Sequence, residues 1–244
     1  MIVANLRGRL GRDDAQLALR LVSRGSGTAL RDAEAVLRDQ GLDALLDDPR
    51  LMDALLEAPH GAHASLALFT YVIVRHALRR AGEHDRVIAD YVAAVVMEFG
   101  MRDRARRVAE TDDEVYGTAA ELLGAANGAD PRRSLLVRAH LGNYALWLSG
   151  LFPDHIEHRR WRRGGPDLDY YDAMGRRGFQ LAAEHRLAAE HGLQPLYAAA
   201  ADRFVVLRAA LNDVSDRLFF PDVHSPERLM RQVRTAMLAG ERLH

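Results

Sequence analysis

The segment His140-Leu-Gly-Asn-Tyr-Ala-Leu-Trp brings an imidazole, an amide and a phenol onto one helical turn through His140, Asn143 and Tyr144. Such a trio can read a small polar ligand. Arg138 precedes it, Tyr170 and Tyr171 open a second segment, and Arg208 and Asn212 lie one turn apart on the flank of a third. Arg138, His140, Asn143, Tyr144, Tyr170, Tyr171, Arg208 and Asn212 are therefore the candidate ligand-binding set, a polar seam between long helices. These residues also sit in or beside apolar runs, where an unsatisfied buried polar group costs about 1–3 kcal/mol. The competing expectation is that each spends its hydrogen bonds within the fold.

Metal chemistry has fewer footholds. Asp154 and His158 stand one turn apart, a spacing that chelates a divalent ion. Arg159, Arg160, Arg162 and Arg163 follow directly, and their charge opposes a cation, so no metal site is expected, with Asp154 and His158 as the alternative. His84-Asp85 resembles the dyad of metal-dependent phosphohydrolases, for which His60, His63 and Asp112 would be further ligands. Following Ala81-Gly82-Glu83, however, Asp85 reads better as a helix cap. Asn212, Asp213 and Asp216 are a single acidic cluster, without the second one that prenyl transfer requires. The run Arg159-Arg160-Trp161-Arg162-Arg163 could hold phosphate, with Trp161 as a stacking face. The plainer expectation is a solvated helix face whose tryptophan packs inward.

Composition removes other classes. The 244 residues contain no cysteine, and all 33 basic side chains are arginine. Thiol nucleophiles, thiolate metal sites, disulfides, Schiff-base lysines and a phosphate-loop lysine are all excluded. A formal net charge of -1 argues against a protein that coats nucleic acid electrostatically. Neither a leader peptide nor an apolar span of membrane length is visible, which points to a cytoplasmic chain.

The elements that must position these residues repeat their apolar side chains at helical spacing, with no alternating strand pattern. The expected fold is all-α, a bundle of nine to ten helices around a central apolar helix at about 131–152. Helices are predicted over Arg12–Ser23, Thr28–Gln40 and from Pro49 to about Glu57, with Gly41 and Asp48 as caps. Further helices are predicted over Ser65–Ala81, from Asp85 to about Phe99, Asp112–Ala126, Pro131–Phe152 and Asp154–Arg163. Leu168–His191, Pro195–Phe220 and a helix beginning at Ser225-Pro226 complete the set. Residues 1–58 read as an outlying subdomain of short helices and 59–244 as the main domain. Tyr171, Gly175, Gly178 and Ala182 fall on one helical line. Mid-helix glycines cost about 1 kcal/mol each against alanine, so two on one line predict a closely approaching neighbour, the 131–152 helix being the expected one.

Leu151-Phe152-Pro153 after a long apolar helix, followed by Tyr170-Tyr171 and the spaced Gly175-Arg176, resembles a family of uncharacterised all-helical bacterial proteins over about residues 60–220. The resemblance implies the architecture and one coherent domain. It brings no activity, cofactor or catalytic residue. The expected function is that of a cytoplasmic helical binding protein without a cofactor, acting through a protein partner, self-association or a small ligand in the polar seam. A metal-dependent hydrolase using histidines and carboxylates is the enzymatic alternative, and an arginine-led nucleic-acid binder the other.

Overall fold

A computed structural model describes residues 2–57, 63–109, 113–127, 130–223 and 225–241. Among them are fourteen α-helices and no strand. The all-α expectation thus stands, while the count of nine to ten is too low. The helices belong to two compact units that divide at Gly100 rather than at residue 58.

The first unit, residues 2–100, holds α1 (Arg12–Ser23), α2 (Gly27–Gln40), α3 (Leu42–Leu46), α4 (Pro49–Leu56), α5 (Leu66–Arg80) and α6 (Arg86–Phe99). Its starts are set by side-chain caps. Asp48 accepts from the Arg50 amide with Pro49 at the first helical position, Ser65 accepts from Leu68, and Asp85 accepts from Val87 and Ile88. Gly41, at φ 80°, makes the left-handed break between α2 and α3. The paired α5 and α6 are buried along most of their length and pack on each other, and α4 packs on α5.

The second unit, residues 101–244, holds α7 (Ala119–Ala125), α8 (Pro131–Leu151), α9 (Pro153–Arg163), α10 (Leu168–Ala183), α11 (Arg186–Glu190), α12 (Gln194–Asp202), α13 (Phe204–Val214) and α14 (Pro226–Glu241). A short 3₁₀ turn, Arg102–Arg106, comes first, and a π-helical turn, Ser215–Phe219, extends α13. Three expected helices are cut. The helix expected from Asp112 begins only at Ala119, capped by Thr118, and Asp112 itself lies outside the described residues. The stretch 168–191 breaks at His185, whose extended backbone and ring nitrogen cap α11. The stretch 195–220 breaks at Arg203, which leaves the helical region for one residue.

Missing side chains set the packing of α8 against α10 and α13. A Cβ added at Gly178 of α10 would stand 2.6 Å from the Gly142 amide nitrogen of α8, so the two backbones meet there. One at Gly150 of α8 would strike the Leu211 side chain of α13 at 2.7 Å. Gly175 departs from the expected partner, because the atom it admits is a ring carbon of Phe204 on α13 and not α8. Phe204, Leu207, Leu211 and Val214 form the buried stripe that presses α13 inward.

Candidate functional site

His140, Asn143 and Tyr144 are buried on α8. The His140 Nε2 lies 2.9 Å from the Ala105 carbonyl oxygen, and the Tyr144 hydroxyl donates to the Gly117 carbonyl at 3.1 Å. Arg138 reaches two helix ends: its Nε donates to the Ala126 carbonyl, 3.1 Å away, and its Nη1 to the Leu181 carbonyl at 3.2 Å. Three of the candidates on α8 therefore engage backbone carbonyl oxygens of neighbouring segments.

Arg208 and Asn212 belong to a second network, which joins α13 to α10 and to the end of α8. The Arg208 guanidinium grips both Asp172 oxygens, at 2.6 and 3.1 Å, and its third nitrogen donates to the Asn212 Oδ1. Asn212 Nδ2 in turn donates to the Ser149 and Gly150 carbonyls, each 2.8 Å away, at the end of α8. Ser215 completes the row by donating to the Leu151 carbonyl. Burial pushes the Asp172 carboxyl above its usual range, with Arg208 pulling it back. Sequence reading found Arg208 and Asn212 but not Asp172, whose spacing to them exists only once α10 lies on α13.

The aromatic candidates meet at a third place. Burial pushes the Tyr144 phenol up, and Tyr171 adds to the effect while the charges of Arg159 and Arg106 oppose it. Tyr171 is raised by burial too, again against Arg159, and it meets Tyr170 edge to face, with ring centroids 5.3 Å apart. The predicted residues thus divide among an α8 carbonyl-bonded set of Arg138, His140 and Tyr144, a tyrosine corner beside Arg159, and the Asp172–Arg208–Asn212 network, with Asn143 buried on α8.

The metal alternative loses its carboxylate to arginine. Both Asp154 oxygens accept from guanidiniums, Arg228 at 2.8 Å and Arg231 at 3.0 Å, and Arg231 also holds Asp216 at 2.7 Å. This buried pair of arginines, which sequence reading missed, fastens α14 to α9 and the π turn. His158 is exposed. Asp85 is a helix cap, as expected; His84 and His63 are exposed, and His60 lies outside the described residues. Among the described residues no group of three or more histidine or acidic side chains is arranged to hold a metal ion.

The arginine run of α9 differs from its expected form. Residues 158–163 are all exposed, and Trp161 is 71% exposed rather than packed inward. The reason is positional: Ile156 and Glu157 are the last buried residues of α9, and the final turn before the left-handed Gly164 leaves its neighbours behind. Arg160 lies 5.9 Å from the Trp161 ring centre and 3.9 Å from Glu157. Beside Trp161 is a hollow of about 330 Å³ that Pro226 and Met230 of α14 also line.

The first unit holds a charged cluster absent from the predicted set. Asp47, after α3, accepts from Arg75 at 2.7 Å and from Arg86 at 2.8 Å, and its carbonyl oxygen accepts from Arg79. Burial pushes the Asp47 carboxyl up, but the hydrogen bonds and charges of Arg75 and Arg86 outweigh it and hold it at about 2. Arg75 is itself buried and donates to the His84 carbonyl. Every arginine in this cluster is paired, the arrangement of a structural network.

No family model, curated protein or solved structure matches the chain.

Proposed function

We propose that the chain is a helical binding protein that works through protein contacts, made by the apolar side chains of its last helices, with a second copy of itself as the first partner. One observation carries this reading. Phe219, Phe220, Val223, Leu229, Met230 and Val233 are all exposed, and they fall on consecutive elements from the π turn to α14, with Leu229 at 62%. Single exposed apolar residues are ordinary on a protein surface, but a concentration on one stretch marks an interaction site. In this reading α8 is the central apolar helix, and the polar groups along it set helix register. The chain keeps the cytoplasmic place expected from its sequence.

Native mass spectrometry with sedimentation tests it. A dimer that Leu229→Asp with Met230→Asp converts to monomer supports the reading; a monomer at every concentration removes the second copy as partner. A small anionic ligand is a second reading, favoured by Tyr171, which makes no hydrogen bond and sits near Arg159. A stoichiometric extra mass on a monomer, lost in Tyr171→Phe, would select it.

A further inference from the structure

We propose that the exposed end of α9 binds single-stranded nucleic acid, with Trp161 as the stacking platform and Arg159, Arg162 and Arg163 as the phosphate contacts. The indole is the most exposed large apolar side chain in the described chain. A tryptophan held in water gains nothing for the fold, and its flat face is suited to an unstacked base. The three arginines are exposed and make neither a hydrogen bond nor an ion pair, whereas Arg75, Arg208, Arg228 and Arg231 elsewhere are each spent on a carboxylate. The acidic residues of α9 do not neutralise them, because Asp154 is held by Arg228 and Arg231, and Glu157 is buried beside Arg160.

The occupant follows from that charge and shape. On the helix Arg159 and Arg163 stand one turn apart on one face, Trp161 lies on the far face and Arg162 lies between, so a strand that wraps the end of α9 meets phosphate contacts and the base platform in turn. Duplex is excluded by the same logic, since its bases are already stacked and closed to the indole. The formal charge of -1 belongs to the whole chain, whereas at this turn three free guanidiniums stand against one nearby carboxylate, Glu227 of α14, in the hollow beside Trp161. Met230, part of the α14 contact proposed above, lines the same hollow as Trp161, so a strand and a second copy would compete for this side of α9.

The test is fluorescence anisotropy of the full chain with a labelled poly(U) strand of about 12 nucleotides, at low and rising salt. Binding is expected to weaken with a slope near -2 in log affinity against log salt, the value for about three phosphates on a single strand. Trp161→Ala should lower the affinity roughly tenfold or more, and Trp161→Phe should recover most of it. Replacing Arg159, Arg162 and Arg163 together by Gln should flatten the salt slope. These side chains are exposed, so circular dichroism should show unchanged folding. Absence of binding at low salt would overturn the proposal, as would affinity indifferent to Trp161→Ala. Binding to phosphatidylserine vesicles without binding to the strand would overturn it in favour of a membrane surface.

Discussion

Gly178→Ala adds one methyl group at the point where α8 and α10 touch, and the structure sets its cost. The new Cβ would stand 2.6 Å from the Gly142 nitrogen and 3.0 Å from both the Arg138 carbonyl oxygen and Leu141 Cγ. Ordinary contact begins at 3.4 Å. The helices must part by about 0.8 Å, a gap that forfeits a quarter to a half of the dispersion attraction between facing atoms. Two of the obstructing atoms are backbone, so no rotamer relieves them, and the overpacking cost of about 1–3 kcal/mol falls at its upper end. Alanine returns about 1 kcal/mol of helix propensity. The net expectation is a loss of about 2 kcal/mol. Gly124→Ala in α7 is the matched control: nothing lies within 4 Å of its added Cβ, so the same chemical change should stabilise by about 0.5 kcal/mol. Both tryptophans, Trp147 and Trp161, lie in the second unit, so urea unfolding followed by tryptophan fluorescence reports on that unit. With an m-value of about 2 kcal/mol/M, the Gly178→Ala midpoint should fall by about 1 M. A midpoint equal to or above that of the parent would refute the close-approach argument.

Arg208→Ala leaves the partly buried Asp172 without its bidentate partner and should cost about 1–3 kcal/mol by the same urea assay. The double change Arg208→Met with Asp172→Leu should recover much of that loss, and equal losses in both variants would refute the pairing. Asp47 has a folded pKa of about 2 against an ordinary 3.8, so its stabilisation is present above 3.8 and lost as pH falls through 2. Acid unfolding of the first unit, followed by hydrogen exchange on α5, should show that loss, worth about 2 kcal/mol, and Asp47→Asn should abolish its pH dependence. Arg231→Ala removes the side chain shared by Asp154 and Asp216, so amide exchange over α14 should rise at least tenfold while α8 keeps its protection. Unchanged exchange in α14 would show that the arginine clamp does not hold it.

Much of the fold was legible wherever a boundary has its own chemistry. Asp48-Pro49, Ser65 and Asp85 each announce a helix start by a side chain that can accept a backbone N–H, and each does so in the structure. The breaks at His185 and Arg203 carry neither glycine nor proline, and the apolar spacing runs across them, so nothing local marks the turn. The division at Gly100 was hidden for a related reason. Assigning α5 and α6 to the first unit depends on which faces meet, and periodicity shows only that a helix has an apolar face. At the candidate site, the close approach at Gly178 was foreshadowed by its line of small residues, whereas Asp172, Arg228 and Arg231 acquire meaning only from partners 15 to 77 residues away. Trp161 was misread because a tendency of aromatic residues toward the interior says nothing of one on a helix turn that outlasts its neighbours.

Arg138 has a consequence beyond satisfying two carbonyls. Ala126 closes α7 and Leu181 lies in the last turn of α10, so the oxygens that this guanidinium collects belong to the partially negative ends of two helix dipoles. One cation on α8 thereby neutralises both ends, and lysine, with its compact ammonium on a flexible stem, would not reproduce the fork that spans them. α7, α8 and α10 are tied at this point by electrostatics as well as by packing, which makes Arg138 a joint of the second unit.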